Sequence, residues 1–148
     1  MEKLLAVLEK QQDTFAELIG ATKQEQEAIV NKNMELLQES LQAKERLEKQ
    51  LKELEEERIS LTGDKDFLTL VQAAGDKAET LQALRRSLKE SILELKHLQT
   101  TNTLLLQTEL AYFNVLKDLL NADSAHYDAK GKLTKKSAEP NTVITHRA

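Results

Sequence analysis

The stretch "IVNKNMELLQ", Ile29 to Gln38, decides how many long helices the first half of this chain contains. Hydrophobic residues recur every three or four positions before this stretch and resume at Leu37, which is the spacing of an amphipathic helix. The spacing loosens at Asn31-Lys32-Asn33, and asparagine is common at helix caps and turns. We therefore predict two helices, over about 2–31 and 34–62. One unbroken helix is the alternative.

Two copies of Gly-Asp-Lys follow, at residues 63–65 and 75–77. Glycine suits the C-terminal cap of a helix and aspartate the N-cap of the next one. Each copy therefore predicts that one helix stops and another starts. A short helix over about 65–74 fits between the copies, and a long helix over about 77–121 follows the second copy.

These elements predict an all-α fold, in which long helices form an antiparallel three-helix bundle or coiled coil within one domain over residues 1–121. A two-helix hairpin with one unbroken N-terminal helix is the alternative. The composition agrees, because charged residues make up 31%, aromatic residues 3%, and there is one proline. Residues 122–148 lose the periodicity and become small, polar and mildly basic, which predicts a flexible C-terminal tail.

The charge pattern argues against several classes of partner. The 148 residues carry a net charge of −4 with both signs well mixed, so we expect no general attraction to nucleic acid or anionic lipid.

The absence of cysteine excludes a disulfide scaffold and a thiolate metal site. The first residues, "MEKLLAVLEK", have neither the charge pattern of a signal peptide nor the length of a membrane span. We predict a cytoplasmic protein without membrane insertion.

Catalytic and metal-binding patterns are scarce. Glu94-x-x-His97 has the spacing of half a di-iron carboxylate site, but the sequence has no second Glu-x-x-His pair to complete it. A glycine-rich phosphate loop and a serine or cysteine nucleophile motif are also missing. We therefore expect that the protein is not an enzyme and uses neither a metal nor a cofactor.

The apolar segment "LLLQTELAYFNVLKDLL", Leu104 to Leu120, is the most hydrophobic part of the chain, with eleven apolar residues among its seventeen. At 100° per residue its apolar arc covers roughly 260°, whereas a helix that faces one core needs a stripe of roughly 100°. The rest of the arc requires a cover. That cover is the short helix over about 65–74, a second copy of the chain, or a partner helix bound to the apolar surface.

Several motifs resemble the FlgN family of flagellar type III export chaperones. Residues 25–61 resemble the family's leucine-rich N-terminal half, with an embedded lysine and a later arginine at Lys44 and Arg58. The second half is similar to the family's Asn-x-x-Leu-Leu helix and the Tyr-x-x-x-Gly element after it, here "NTLLL" from Asn102 and "YDAKG" from Tyr127.

The resemblance implies a function for the apolar segment. Chaperones of this family bind the C-terminal helices of the hook–filament junction proteins FlgK and FlgL and bring them to the export gate component FlhA, without a cofactor. Tyr127 would then contact the gate, and a substrate-binding surface would be formed by Leu105, Leu106, Leu110, Phe113, Leu116 and Leu120. When cargo is absent, a homodimer through the same surface is an alternative to the monomer. The alternative function is that of a structural, homo-oligomeric coiled-coil spacer or tether.

Overall fold

The computed structural model describes the backbone of residues 1–128 and the side chains of residues 1–122. Over these residues the chain is helical, with turns between the helices and no strand, and the all-α prediction is confirmed. A single 3-10 turn, Gly75–Lys77, precedes the last helix. The helices are α1 (Glu2–Asn31), α2 (Met34–Thr62), α3 (Phe67–Ala74) and α4 (Ala78–Asp128).

The break between α1 and α2 is a capped turn. Lys32 adopts the left-handed conformation with a φ of 56°, and the backbone N–H of Asn33 donates to the carbonyl of Ala28 over 2.9 Å. The Asn33 side chain then accepts a hydrogen bond from the backbone N–H of Leu36 over 3.1 Å and caps α2. The prediction of two helices is confirmed, and the alternative of one unbroken helix is wrong.

Glycines end the next two helices, as predicted. Gly63 follows α2 with a φ of 59°, and Gly75 follows α3 with a φ of 60°. The N-cap of α3, however, is Asp66, whose carboxylate accepts from the backbone N–H of Thr69 over 2.8 Å, rather than the aspartate of the first Gly-Asp-Lys copy. The reason is that a turn continues after α2, with the Lys65 N–H bonded to the carbonyl of Thr62, so α3 starts later than predicted.

The last helix is longer than predicted. α4 continues to Asp128, so residues 122–128 belong to a helix and not to the predicted tail. The sequence signal was the loss of hydrophobic periodicity, which reports packing rather than helicity. "NADSAHYD", residues 121–128, contains neither glycine nor proline and has two alanines, so nothing in it stops a helix. The remainder of the predicted tail, residues 129–148, lies outside the described residues.

By its contacts the chain divides into two units, Met1–Asn102 and Thr103–Ala148. The single domain expected over residues 1–121 stays a prediction. Within the first unit, α1 and α2 are antiparallel, because rising residue numbers on α1 meet falling numbers on α2: Gln11 bonds Glu55, and Glu25 bonds Lys44. α1 and α4 are parallel, because both numbers rise: Gln12 bonds Ser91, and Thr22 bonds Asn102. The three long helices of this unit therefore run up, down and up.

The core of the first unit consists of two hydrophobic clusters, and α1 contributes to both. The first lies where α1 and α4 begin and includes Leu4, Leu5, Leu8, Ala74 and Leu81, with Phe67, Leu70 and Val71 of α3 packed against it. The second lies farther along the bundle and includes Leu18, Ile19, Ala21, Leu47 and Leu95. α3 is thus part of the first cluster.

Candidate functional site

The apolar segment is exposed. Nine of its large hydrophobic side chains are exposed, from 38% for Leu106 to 68% for Leu120. A helix that packed its apolar arc against a core would bury these groups, and contiguous exposed apolar surface of this kind marks interaction sites. The exposed side chains are Leu104, Leu106, Leu110, Tyr112, Phe113, Val115, Leu116, Leu119 and Leu120.

Most of the predicted substrate-binding residues share one stripe of α4. Leu106, Leu110, Phe113, Leu116 and Leu120 follow one another at spacings of three or four residues, so they lie on one helix face, and all five are exposed. The stripe is about 21 Å long at 1.5 Å per residue. The sixth predicted residue, Leu105, is half-buried.

A second exposed stripe was not among the predicted site residues. Tyr112, Val115 and Leu119 follow the same three-to-four spacing on an adjoining face, and Leu104 lies eight residues, about two turns, before Tyr112; all four are more than half exposed. The helical projection of the sequence already placed these side chains in the apolar arc, but they were not assigned to the substrate-binding surface. The apolar surface is therefore wider than the predicted site.

The apolar segment is helical for local reasons. Leucine, alanine, glutamine, glutamate and lysine favour the helix, and its backbone hydrogen bonds join residues only four positions apart. The Thr108 hydroxyl donates to the carbonyl of Leu104 over 2.9 Å and so needs no partner from another element. Because α4 has already formed before Leu104, no new helix nucleus is required.

The short helix α3, which was considered as a cover for the apolar segment, packs its apolar face within the first unit. Its hydrophobic side chains pack with Leu4, Leu5 and Leu8 of α1 and with the first turns of α4. The apolar segment is exposed all the same. The apolar face of α3 is thus used within the first unit, and the cover of the apolar segment stays a prediction.

Two residues of the family-like motifs converge on one buried carboxylate in the first unit. Lys44 of α2 places its Nζ 3.0 Å from Oε1 of Glu25 on α1, and Asn102 of α4 donates from Nδ2 to the same oxygen over 2.8 Å. Asn102 also donates to the carbonyl of Thr22 over 2.9 Å. Glu25 is only 5% exposed, so its charge depends on these partners. We call these side chains the Glu25 cluster.

The motif arginine also binds a carboxylate within the fold. Arg58 donates from Nε to Oε2 of Glu55 over 2.9 Å, and Gln11 of α1 donates to the same oxygen over 3.0 Å. The hydrogen bond from Arg58 lowers the pKa of Glu55 below its usual value, burial opposes this more weakly, and the hydrogen bond from Gln11 adds a smaller lowering. Sequence reasoning missed Glu25 as the partner of Lys44, because that contact depends on how α1 and α2 align. Glu55, in contrast, lies three residues before Arg58 on α2, so helical spacing alone brings this pair together.

The residues considered for metal binding do not assemble a site. No group of three histidine, aspartate or glutamate side chains within the described residues could hold a metal ion. Glu94 lies 3.6 Å from the Nζ of Lys23 on α1, as an exposed ion pair.

Within the part of the chain that the structure describes, no helix combines the length and the hydrophobicity that a membrane span requires. The backbone of Tyr127 belongs to α4, but the structure does not describe its side chain. The role of Tyr127 in binding the export gate therefore stays a prediction.

A protein-family model, described as FlgN protein, matches residues 1–135. This span includes the first unit, the apolar segment and the "YDAKG" element. The chain belongs to the FlgN family. Neither a curated protein nor a solved structure matches the chain.

FlgN proteins are flagellar export chaperones, so this FlgN-family chain is a flagellar assembly chaperone. The family is not known as enzymatic, and it suggests binding to exported flagellar proteins. The expected resemblance is therefore confirmed at the level of the family.

Proposed function

We propose that this FlgN-family chaperone binds the C-terminal helices of FlgK and FlgL in the cytoplasm and delivers them to the export gate component FlhA. The observation that carries the proposal is the exposed apolar segment, Leu104 to Leu120, within the span that matches the family. The cargo helix would lie along the stripe formed by Leu106, Leu110, Phe113, Leu116 and Leu120, with Leu105 beside it.

The size of the apolar segment supports a helical cargo. Full burial of one Leu or Phe side chain contributes about 1.5–3 kcal/mol. Burial of four or five such side chains therefore offsets much of the entropy lost on association. Amphipathic helices are recognised by anchors at i, i+3, i+4 and i+7, which is the spacing that the stripe presents.

Single charges placed in the stripe test the cargo site. We expect Phe113→Asp and Leu110→Asp to abolish co-purification with the C-terminal helices of FlgK and FlgL, because a carboxylate cannot be buried there without a large desolvation cost. Gln107→Asp is the matched control, since it adds the same charge at an exposed position of α4 that already carries a polar side chain. Circular dichroism should show equal helicity in all three variants. Unchanged capture by both stripe variants would remove the cargo site from this segment.

The proposed gate contact is tested separately. We expect Tyr127→Ala to retain cargo binding and to weaken binding to the cytoplasmic domain of FlhA in isothermal titration calorimetry, because an aromatic side chain supplies a large apolar anchor. Tyr127→Phe keeps the ring and should retain part of the affinity. Equal gate affinity in the wild type and in Tyr127→Ala would rule out this role.

A homodimer of the cargo-free chaperone would use the same apolar segment. Mass measurement of the purified chain should then give a dimer that Phe113→Asp and added cargo both convert to smaller species. A dimer that persists with cargo bound would favour the spacer or tether function instead. The family favours the chaperone function.

A further inference from the structure

The first unit contains a second apolar surface, a groove of about 650 Å³. Its floor is formed by Leu4, Leu8 and Phe15 of α1. One wall comes from α2 and the other from α4, and α3 contributes Phe67 and Leu70. The apolar side chains of the two walls are Leu51 on α2 and Leu81, Leu88 and Ile92 on α4. We call this surface the α2–α4 groove.

Three polar side chains in the α2–α4 groove, Gln11, Glu55 and Arg58, already bind one another. The Glu55 carboxylate accepts hydrogen bonds from both Gln11 and Arg58 and neutralises the charge of Arg58. A site for a small polar ligand normally keeps a few convergent polar groups available to fix the ligand's orientation. The rest of the groove lining is mostly aliphatic and aromatic, and such a surface suits a row of apolar side chains on a bound helix.

The dimensions of the groove match a short helix. Its α2 wall extends from Glu48 to Thr62 and its α4 wall from Leu81 to Ile92. At 1.5 Å per residue these walls are about 21 and 17 Å long. A helix of three to four turns has this length, and its apolar face would present one side chain per turn to the floor.

The charge around the groove is opposite to that of the whole chain. Lys52, Lys65 and Arg85 line it and are exposed, whereas Glu48 is the lining carboxylate outside the Glu55–Arg58 pair. The lining therefore carries an excess of positive charge, while the chain as a whole carries −4. Arg85 also stacks on the Phe67 ring, with its Cζ 4.0 Å from the ring centroid, which holds that charge beside the groove.

We propose that the α2–α4 groove binds an amphipathic helix of another protein, three to four turns long, whose apolar face is flanked by Asp and Glu side chains. The apolar face enters the groove, and the acidic flanks pair with Lys52, Lys65 and Arg85. This surface is additional to the apolar segment and extends the proposed function by a second binding site. Charge complementarity of this kind raises the association rate and selects against partners with basic flanks.

Two designed peptides test the proposal on the full chain. Both are fluorescein-labelled 15-residue helices with leucines at i, i+3, i+4 and i+7; one carries Glu at the flanking positions and the other Lys. In anisotropy titrations we expect the Glu peptide to bind about tenfold more tightly than the Lys peptide at low salt, and the difference to shrink as ionic strength rises. Equal affinity of the two peptides would overturn the proposal.

Variants then locate the site. Lys52→Glu with Arg85→Glu should reverse the preference between the peptides, whereas Lys49→Glu, an exposed charge reversal on α2 outside the groove, should leave it unchanged. Leu88→Glu should abolish binding of both peptides, with circular dichroism to check the fold. Because the reversed-charge variant changes only exposed side chains, the proposal stays testable if Leu88→Glu fails to fold.

Two further experiments distinguish the α2–α4 groove from the proposed cargo site on the apolar segment. Phe113→Asp should leave binding of the Glu peptide unchanged, and Lys52→Glu with Arg85→Glu should leave capture of FlgK and FlgL unchanged. Loss of peptide binding in Phe113→Asp would place the peptide on the apolar segment and overturn the proposal. Displacement of the Glu peptide by a peptide of residues 104–120 at equal concentration would identify a second copy as the occupant, which would also overturn it.

Discussion

Asn102 of α4 donates a hydrogen bond to Glu25 of α1 over 2.8 Å, and the two residues are separated by 77 positions in the sequence. The same carboxylate oxygen lies 3.0 Å from the ammonium of Lys44 on α2. One buried charge thus joins the three long helices of the first unit. Because a shift of any helix by one turn would separate these groups, the Glu25 cluster fixes the alignment of the helices.

Removal of the Asn102 amide should destabilise the first unit. Asn102→Ala leaves both the Glu25 carboxylate and the Thr22 carbonyl short of a donor, and we expect a loss of about 1–3 kcal/mol in the free energy of unfolding. Urea denaturation followed by circular dichroism measures it. Thr100→Ala, at an exposed position of α4, is the control. Equal stability of the two variants would contradict a structural role for Asn102.

The Glu25–Lys44 ion pair should behave as a coupled unit. Lys44→Met leaves a buried carboxylate without its cation and should cost about 3 kcal/mol. Glu25→Gln combined with Lys44→Met removes both charges and should be more stable than Lys44→Met alone. A double-mutant cycle from urea denaturation then gives a coupling energy of about 0.5–3 kcal/mol. Additive losses would show that the two side chains do not interact.

Acid should weaken the first unit partly through Glu55. Its pKa is lowered in the folded state, first by the hydrogen bond from Arg58. A lowered pKa contributes stability above the unfolded value of 4.5, and this contribution is lost as pH falls through the folded value. We therefore expect the free energy of unfolding to fall less between pH 6 and pH 3 in Arg58→Met than in the wild type. An equal fall would show that Glu55 does not contribute. Lys49→Met, an exposed change on the same helix, is the control.

Replacement of glycine by alanine should change the stability of the protein in opposite directions at two positions. Gly63 has a φ of 59° and a ψ of −134°, a backbone region that residues with a Cβ rarely adopt, so Gly63→Ala should cost about 1–3 kcal/mol. Gly20 lies within α1, and an added Cβ meets nothing within 4 Å, so Gly20→Ala should stabilise the protein by about 0.5–1 kcal/mol. Thermal unfolding of the two variants beside the wild type checks both signs. A stabilised Gly63→Ala variant would contradict the conformation at the end of α2.

Local features of the sequence predicted the helices well where a stop signal was present. Asn33 and Gly63 ended or started helices as expected, because caps act through hydrogen bonds within a few residues. The end of α4 was missed because residues 121–128 lose hydrophobic periodicity without gaining a helix breaker. The N-cap of α3 was misplaced because two aspartates, Asp64 and Asp66, follow Gly63, and the backbone turn after α2 decides between them.

The sequence by itself determined the helical class, the break after Asn31, the apolar composition of residues 104–120 and the resemblance to the FlgN family. Each of these rests on residue types and on hydrogen bonds that span about four positions. Only the tertiary structure decided that Glu25 receives both Lys44 and Asn102, that α3 packs into the first cluster, and that the α2–α4 groove exists. These features depend on how helices are rotated and aligned against one another, and that alignment is set by the sum of many weak contacts between distant parts of the chain.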